Sequence, residues 1–231
     1  MEDFVCSRWK SPGRRIWTLR PRLSPARLLV FLDGELYLDS VMAAQIVREL
    51  EDAGRLPPTL SIFVSNSGPA SRHADYVCDM DHARFLADEL LPSVFAREPD
   101  ISTDHVGLVG LSLSGLAAAH AALITGRFRV AVCQSPSFWW NQEQLASSLP
   151  PASGSPTAFW VSVGDHETEY GVSHPPSGLF QPVGQREACE RVAVALQAAG
   201  YLVAQRIFRG GHDPECWRED VALALPWAAN V

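Results

Sequence analysis

Residues 108–119 read Leu-Val-Gly-Leu-Ser-Leu-Ser-Gly-Leu-Ala-Ala-Ala. A short apolar run, Val106 to Val109, ends in small residues around Ser112, and a helix-forming stretch follows at once. A sharp strand-to-helix turn of this kind forces a serine hydroxyl outward as a nucleophile. It also sets that serine at a helix N-terminus, where free N–H groups and the helix dipole favour developing negative charge. The chemistry implied is acyl transfer by a serine esterase, which requires a base, an acid and an oxyanion hole elsewhere in the chain. The usual Gly-x-Ser-x-Gly pattern is broken, because Ser114 stands where the second glycine belongs. Serine is small, so the turn is expected to form with mild crowding. Ser114 is a rival nucleophile; Ser112 is preferred because it directly follows the strand and Gly110. The reading without chemistry is a buried strand and helix packed through small residues.

The base is expected at His212, which follows an apolar strand and two glycines in Phe208-Arg209-Gly210-Gly211-His212-Asp213. A free serine hydroxyl is a poor nucleophile near neutral pH and needs such a base. The acid should follow the strand Phe159 to Val163, where Asp165, Glu167 and Glu169 compete and spacing alone does not choose. The order serine, acid, histidine is that of α/β-hydrolases. The oxyanion hole should combine the Leu113 N–H, from the residue after the nucleophile, with an N–H from the loop after an earlier strand. Leu32-Asp33-Gly34-Glu35 ends such a strand; the donor is assigned to Glu35, with Gly34 as fallback. Trp139 and Trp140, just past another strand end, are candidates for a pocket wall.

The elements needed to hold these residues are legible. Apolar strands are expected over 28–32, 60–64, 106–109, 130–133, 159–163 and 202–207, and helices over 40–52, 79–96, 113–124, 186–199 and 217–228. Continuous apolar strands separated by helices imply a mostly parallel sheet with helices on both faces, the α/β-hydrolase class, here as a single domain over 1–231. Residues 14–20 alternate as an antiparallel edge strand would. The proline- and glycine-rich stretch Tyr170 to Gly184 is read as a flap over the site or a plain surface insertion.

Composition narrows the classes. The chain has 231 residues, 47% hydrophobic and 19% charged, with net charge −7. An acidic balance argues against a nucleic-acid partner. No apolar run is long enough to span a bilayer, and Met1-Glu2-Asp3-Phe4 does not open a secretory signal. Five scattered cysteines (Cys6, Cys78, Cys133, Cys189, Cys216) fit a reducing compartment. A cytoplasmic location is therefore expected. No metal-ligand spacing is present, and no metal or other cofactor is expected. Oligomeric state is not legible.

The chain resembles the catalytic domain of the enterochelin (enterobactin) esterases. The resemblance runs through Phe31-Leu32-Asp33-Gly34-Glu35, Ser71-Arg72-His73-Ala74-Asp75-Tyr76, Glu89-Leu90-Leu91-Pro92 and residues 110–116. It continues through Gln134-Ser135-Pro136-Ser137-Phe138-Trp139-Trp140, Gly164-Asp165-His166-Glu167 and residues 210–218. The resemblance implies Ser112 as nucleophile, His212 as base, and Glu167 as acid with Asp165 second. It implies a small-molecule substrate, an ester of a catecholate siderophore, with the ferric form as a candidate. Arg72 is a candidate contact for such an anion, as is the basic run Arg14, Arg15, Arg20 and Arg22. Cytosolic members carry a further N-terminal siderophore-binding domain and single-domain periplasmic members a signal peptide. Neither is read in these residues, so catalysis is expected to carry over better than substrate identity. A general carboxylesterase on small acyl or aromatic esters is the alternative, and a non-catalytic binding protein of the same fold is a third reading.

Overall fold

The computed structural model describes residues 2–6 (backbone), 14–154, 156–175 and 177–231. Met1, the side chain of Cys6, and Pro176 in the 170–184 stretch lie outside the described residues. The strands are β1 (Glu2–Cys6), β2 (Arg14–Leu19), β3 (Arg27–Phe31), β4 (Thr59–Val64), β5 (Val106–Leu111), β6 (Val130–Gln134), β7 (Ala158–Gly164), β8 (Val172–His174), β9 (Leu179–Gln181) and β10 (Val203–Phe208). The helices are α1 (Gly34–Asp39), α2 (Ala43–Asp52), α3 (Pro69–Tyr76), α4 (Met80–Arg84), α5 (Leu91–Phe95), α6 (Leu113–Thr125), α7 (Trp140–Ser147), α8 (Gln185–Ala198) and α9 (Pro214–Ala228).

Among the described residues the main sheet has the order β1-β2-β4-β3-β5-β6-β7-β10. Its six strands from β4 to β10 run parallel, and β2 and β1 are added antiparallel. Strands buried on both faces read as unbroken apolar runs, and side-chain alternation divides each run between two cores. On β3, Leu28 and Val30 join the core beneath α4, α6 and α8, whereas Leu29 and Phe31 join the core beneath α1, α2 and α9. This is the α/β-hydrolase architecture expected from the sequence. No helix of the described residues is long and apolar enough to cross a membrane.

Some elements differ from expectation. Residues 14–20 do form an antiparallel strand, but β2 is not an edge: β1 pairs along it from Glu2↔Thr18 to Cys6↔Arg14. The long helix over 79–96 is broken by a π-helical turn, Phe85–Leu90. Pro92 lacks an N–H and its ring crowds the carbonyl four residues back, so the ladder widens to Leu91 N–H→Leu86 O just before it. The segment Asp33-Gly34-Glu35, expected as a loop after the strand, starts the short helix α1 from a left-handed Asp33 (φ 54°). Helices α3 and α7 and the β8–β9 hairpin carry too few residues for a periodic signal.

Candidate active site

The turn after β5 is built by close packing. A Cβ on Gly110 would lie 2.1 Å from the Ser114 carbonyl oxygen, so only glycine lets the first turn of α6 fold back on the strand. Ser112 sits at φ 53°, ψ −124°, a sparsely populated region for a residue with a side chain. Backbone hydrogen bonds hold it there: Ser112 N–H donates to Gln134 O (2.9 Å), and Ser112 O accepts from the N–H groups of Ser137 (3.0 Å), Gly115 (3.1 Å) and Leu116 (3.2 Å). Its hydroxyl therefore projects from the C-terminal edge of the sheet.

Ser114 explains the departure from the usual glycine. Its buried Oγ accepts from Leu111 N–H (2.9 Å) and donates to Leu111 O (2.7 Å). The hydroxyl closes the strand end from within and faces away from the cavity. Ser114→Ala is expected to keep ester turnover within about threefold. It should lower stability by roughly 1–3 kcal/mol, because the buried Leu111 N–H loses its acceptor. Kinetics alongside thermal melts check both halves, and a collapse of turnover in a folded variant would contradict this assignment.

His212 and the acid loop are joined by backbone contact. A Cβ on Gly164, where β7 ends, would lie 2.3 Å from Gly210 O, so glycine is needed for the two loops to meet. His212 Nδ1 lies 2.6 Å from Glu167 Oε2, and Nε2 lies 3.0 Å from Ser112 Oγ. A carboxylate only accepts, so Nδ1 carries the hydrogen and Nε2 is left to accept from the serine. Glu167 is buried. Its Oε1 accepts from Gly164 N–H (2.7 Å) and Ser135 O–H (2.6 Å). Ser135 Oγ in turn accepts from Trp217 Nε1–H at 3.0 Å, and the Trp217 ring packs edge-on against His212 at 4.8 Å.

Asp165 does not touch the imidazole. Its Oδ1 accepts from Gly210 N–H at 2.8 Å, which holds its carboxyl below the usual range. It fastens the histidine loop to the end of β7. His166 is exposed, 3.6 Å from Asp165, and lines the cavity that opens on Ser112.

The three N–H groups read as oxyanion donors lie at the same sheet edge. β3 and β5 are neighbours in register Phe31↔Val109, which brings the chain after Leu32 beside the elbow. Leu113 is in the first turn of α6, and Gly34 and Glu35 are in the first turn of α1. First-turn N–H groups have no intrahelical acceptor and attract an anion. The Glu35 carboxylate itself is held by Ser65 O–H and Asn66 N–H.

A cavity of about 550 Å³ opens on Ser112, Leu113, Glu167 and His212. Arg72 and Trp139 line it; Trp140 does not, although both tryptophans pack in the core on the α6 side. Arg72 is not a free cation for a ligand. Its guanidinium forks onto the buried Asp33 carboxylate, with Nε at 2.8 and 2.9 Å and an Nη at 2.6 Å. The basic run points elsewhere: Arg14 pairs with Asp75, Arg20 with Glu98 and Arg22 with Asp52, and none of the run lines the cavity.

The 170–184 stretch forms a wall of this cavity through Val172, His174, Leu179 and Gln181 of the β8–β9 hairpin. His174 stacks on Trp139 at 5.2 Å, nearly parallel at 6°. Trp139 Nε1–H donates to Gln185 Oε1, and Gln185 Nε2–H donates to Ser135 O. Ser135, Gln185 and His174 carry no signal in sequence, since each acts through partners distant in the chain. Among the described residues, no three His, Cys, Asp or Glu side chains are grouped to hold a metal ion.

Comparison with known proteins gives the family and the fold. A family model described as "Putative esterase" matches residues 18–228. The iron(III) enterobactin esterase of Dickeya dadantii (strain 3937) is 31% identical over 234 residues, covering 95% of this chain and 53% of its own. That of Escherichia coli (strain K12) is 27% identical over 236 residues, covering 94% of this chain and 55% of its own. The chain thus spans about half the length of these curated relatives. Among solved structures, the enterobactin esterase from Shigella flexneri in the presence of enterobactin superposes with TM-score 0.79. It is 23% identical, covering 98% of this chain and 58% of that one. The siderophore hydrolase EstA from Aspergillus nidulans superposes with TM-score 0.73 at 18% identity, covering 99% and 94%. These structural likenesses establish the fold.

Proposed function

The chain belongs to the Esterase family, and on that footing we propose that it is a serine hydrolase of catecholate siderophore esters, acting as one catalytic domain. The substrate would be an enterobactin-like tri-serine lactone or its linear fragments, in ferric form or free. The observation that carries this reading is the unbroken hydrogen-bonded relay from Glu167 through His212 to Ser112, opening on a cavity. Its substrate half is supported by relatives that are siderophore esterases.

In this mechanism Ser112 Oγ attacks the ester carbonyl while His212 Nε2 takes its proton. Glu167 stabilises the imidazolium that forms and keeps the ring in the productive tautomer. The oxyanion is held by the N–H groups of Leu113 and Glu35, with Gly34 adjacent. His212 then protonates the leaving alcohol, here the serine hydroxyl of the lactone. Water, activated by the same imidazole, releases the acid from the acyl-enzyme. Trp139 offers an aromatic wall for the acyl group. Arg72, already paired with Asp33, offers its remaining N–H to an anionic ligand.

The test compares turnover of ferric enterobactin, its linear fragments and a short p-nitrophenyl ester. The proposal expects kcat/KM for the siderophore esters to exceed that for the p-nitrophenyl ester by at least about tenfold, a difference of roughly 1.4 kcal/mol in transition-state binding. Turnover of the p-nitrophenyl ester alone would instead leave a general carboxylesterase.

A further inference from the structure

We propose that Gln134, the last residue of β6, is a positioning residue that locks the nucleophile, the oxyanion loop and the histidine loop to one another. This rests on the serine-hydrolase reading above. Gln134 is fully buried and does not line the cavity. Its main-chain oxygen accepts from Ser112 N–H at 2.9 Å, the bond that fixes the N–H of the strained elbow.

Its side chain reaches the other two segments. Oε1 accepts from Tyr37 O–H at 2.8 Å. Tyr37 lies on α1, whose first turn carries Gly34 and Glu35, and burial keeps its phenol protonated and a donor. Nε2–H donates to Trp217 O (2.9 Å) and to Asp220 Oδ2 (2.8 Å), both on α9. Trp217 is the residue whose ring packs on His212 and whose indole N–H holds Ser135 against Glu167. The amide orientation is unambiguous, because its nitrogen faces two acceptors and its oxygen faces a hydroxyl. Asp220 is anchored in turn: Oδ2 accepts from Ser162 O–H (2.6 Å) and Trp160 Nε1–H (3.2 Å), and Oδ1 pairs with Arg206 (2.9 Å).

Through its side-chain amide and its main-chain oxygen, one residue thus ties together the segments whose groups must meet at one reacting carbonyl. A network that only stabilised the fold would have no reason to end on these three segments. Its loss would lower the melting temperature and leave turnover per folded molecule unchanged.

Gln134→Leu removes every side-chain bond at once and risks the fold, because it leaves the buried Tyr37 hydroxyl without its acceptor. Tyr37→Phe is the cleaner variant: it deletes one hydroxyl and keeps the ring, which packs against Phe31 at 5.1 Å. Both would be made in the full chain. The readouts are kcat and KM on a p-nitrophenyl ester, the second-order rate of labelling by a fluorophosphonate, and the melting temperature. Tyr37→Phe is expected to lower kcat and the labelling rate by about ten- to a hundredfold with KM within twofold, as for a reacting group misplaced by a fraction of an ångström. A folded Tyr37→Phe with wild-type kcat and labelling rate overturns the proposal. Failure of the wild-type chain to label at all would instead overturn the serine-hydrolase reading, so the two failures are distinguishable.

Discussion

Ser112→Ala is expected to lower kcat for ester hydrolysis by about 10⁵- to 10⁶-fold, the scale seen when a serine hydrolase loses its nucleophile. The fold should be untouched. The hydroxyl is half-exposed, no segment of the sheet is anchored through it, and alanine takes the same strained backbone at no greater cost. What remains would be the residual effect of cavity binding and of the N–H groups proposed as oxyanion donors, at Leu113 and Glu35, acting without a covalent partner. Single-turnover assays of the purified variant beside wild type check this, with circular dichroism to verify folding. Retention of more than about one part in a hundred of wild-type turnover would remove Ser112 from the mechanism.

Glu167→Gln carries the second largest expected effect, a loss of about 10⁴-fold in kcat. The amide nearly matches the carboxylate in size, so the bonds from Gly164 N–H and Ser135 O–H can persist. The charge that stabilises imidazolium is gone. An amide N–H facing Nδ1 would also draw the ring into the tautomer that offers a hydrogen, not a lone pair, to Ser112. Asp165→Asn is the control. Asp165 bonds the Gly210 N–H and not the ring, and an amide oxygen can take over that bond. Its turnover should stay within roughly tenfold of wild type. If Asp165→Asn proved the more damaging change in steady-state assays, the assignment of the acid would be wrong.

The nucleophile turn and the sheet around it were legible for the same reason. Strand, small-residue turn and helix are all local, and strands buried on both faces leave unbroken apolar runs. Choosing between Asp165 and Glu167 was not a local matter. A tight turn, in which Glu167 N–H donates to Gly164 O at 3.2 Å, folds the Glu167 carboxylate back under the loop while Asp165 faces Gly210. Spacing contains no trace of that, and only the resemblance favoured Glu167. Arg72 reads as a candidate anion contact, and its pairing with Asp33 is not legible because the partner is 39 residues away in the chain. The two adjacent tryptophans share one core, yet only Trp139 reaches the cavity, a difference that sequence position does not show. Ser114 looked like a flaw in a glycine motif, whereas its hydroxyl supplies both bonds that close the strand end. The β8–β9 hairpin was invisible because each strand has three residues and its placement depends on the stack of His174 on Trp139.

In the proposed mechanism the hydroxyl of Ser112 reacts because His212 takes its proton. Reaction of the wild-type chain with a fluorophosphonate, followed by proteolysis and mass spectrometry of the labelled peptide, addresses it most directly. The expected result is one adduct per chain, on Ser112, with a labelling rate that falls steeply in His212→Ala. An adduct on Ser114, or labelling at an undiminished rate without His212, would contradict it.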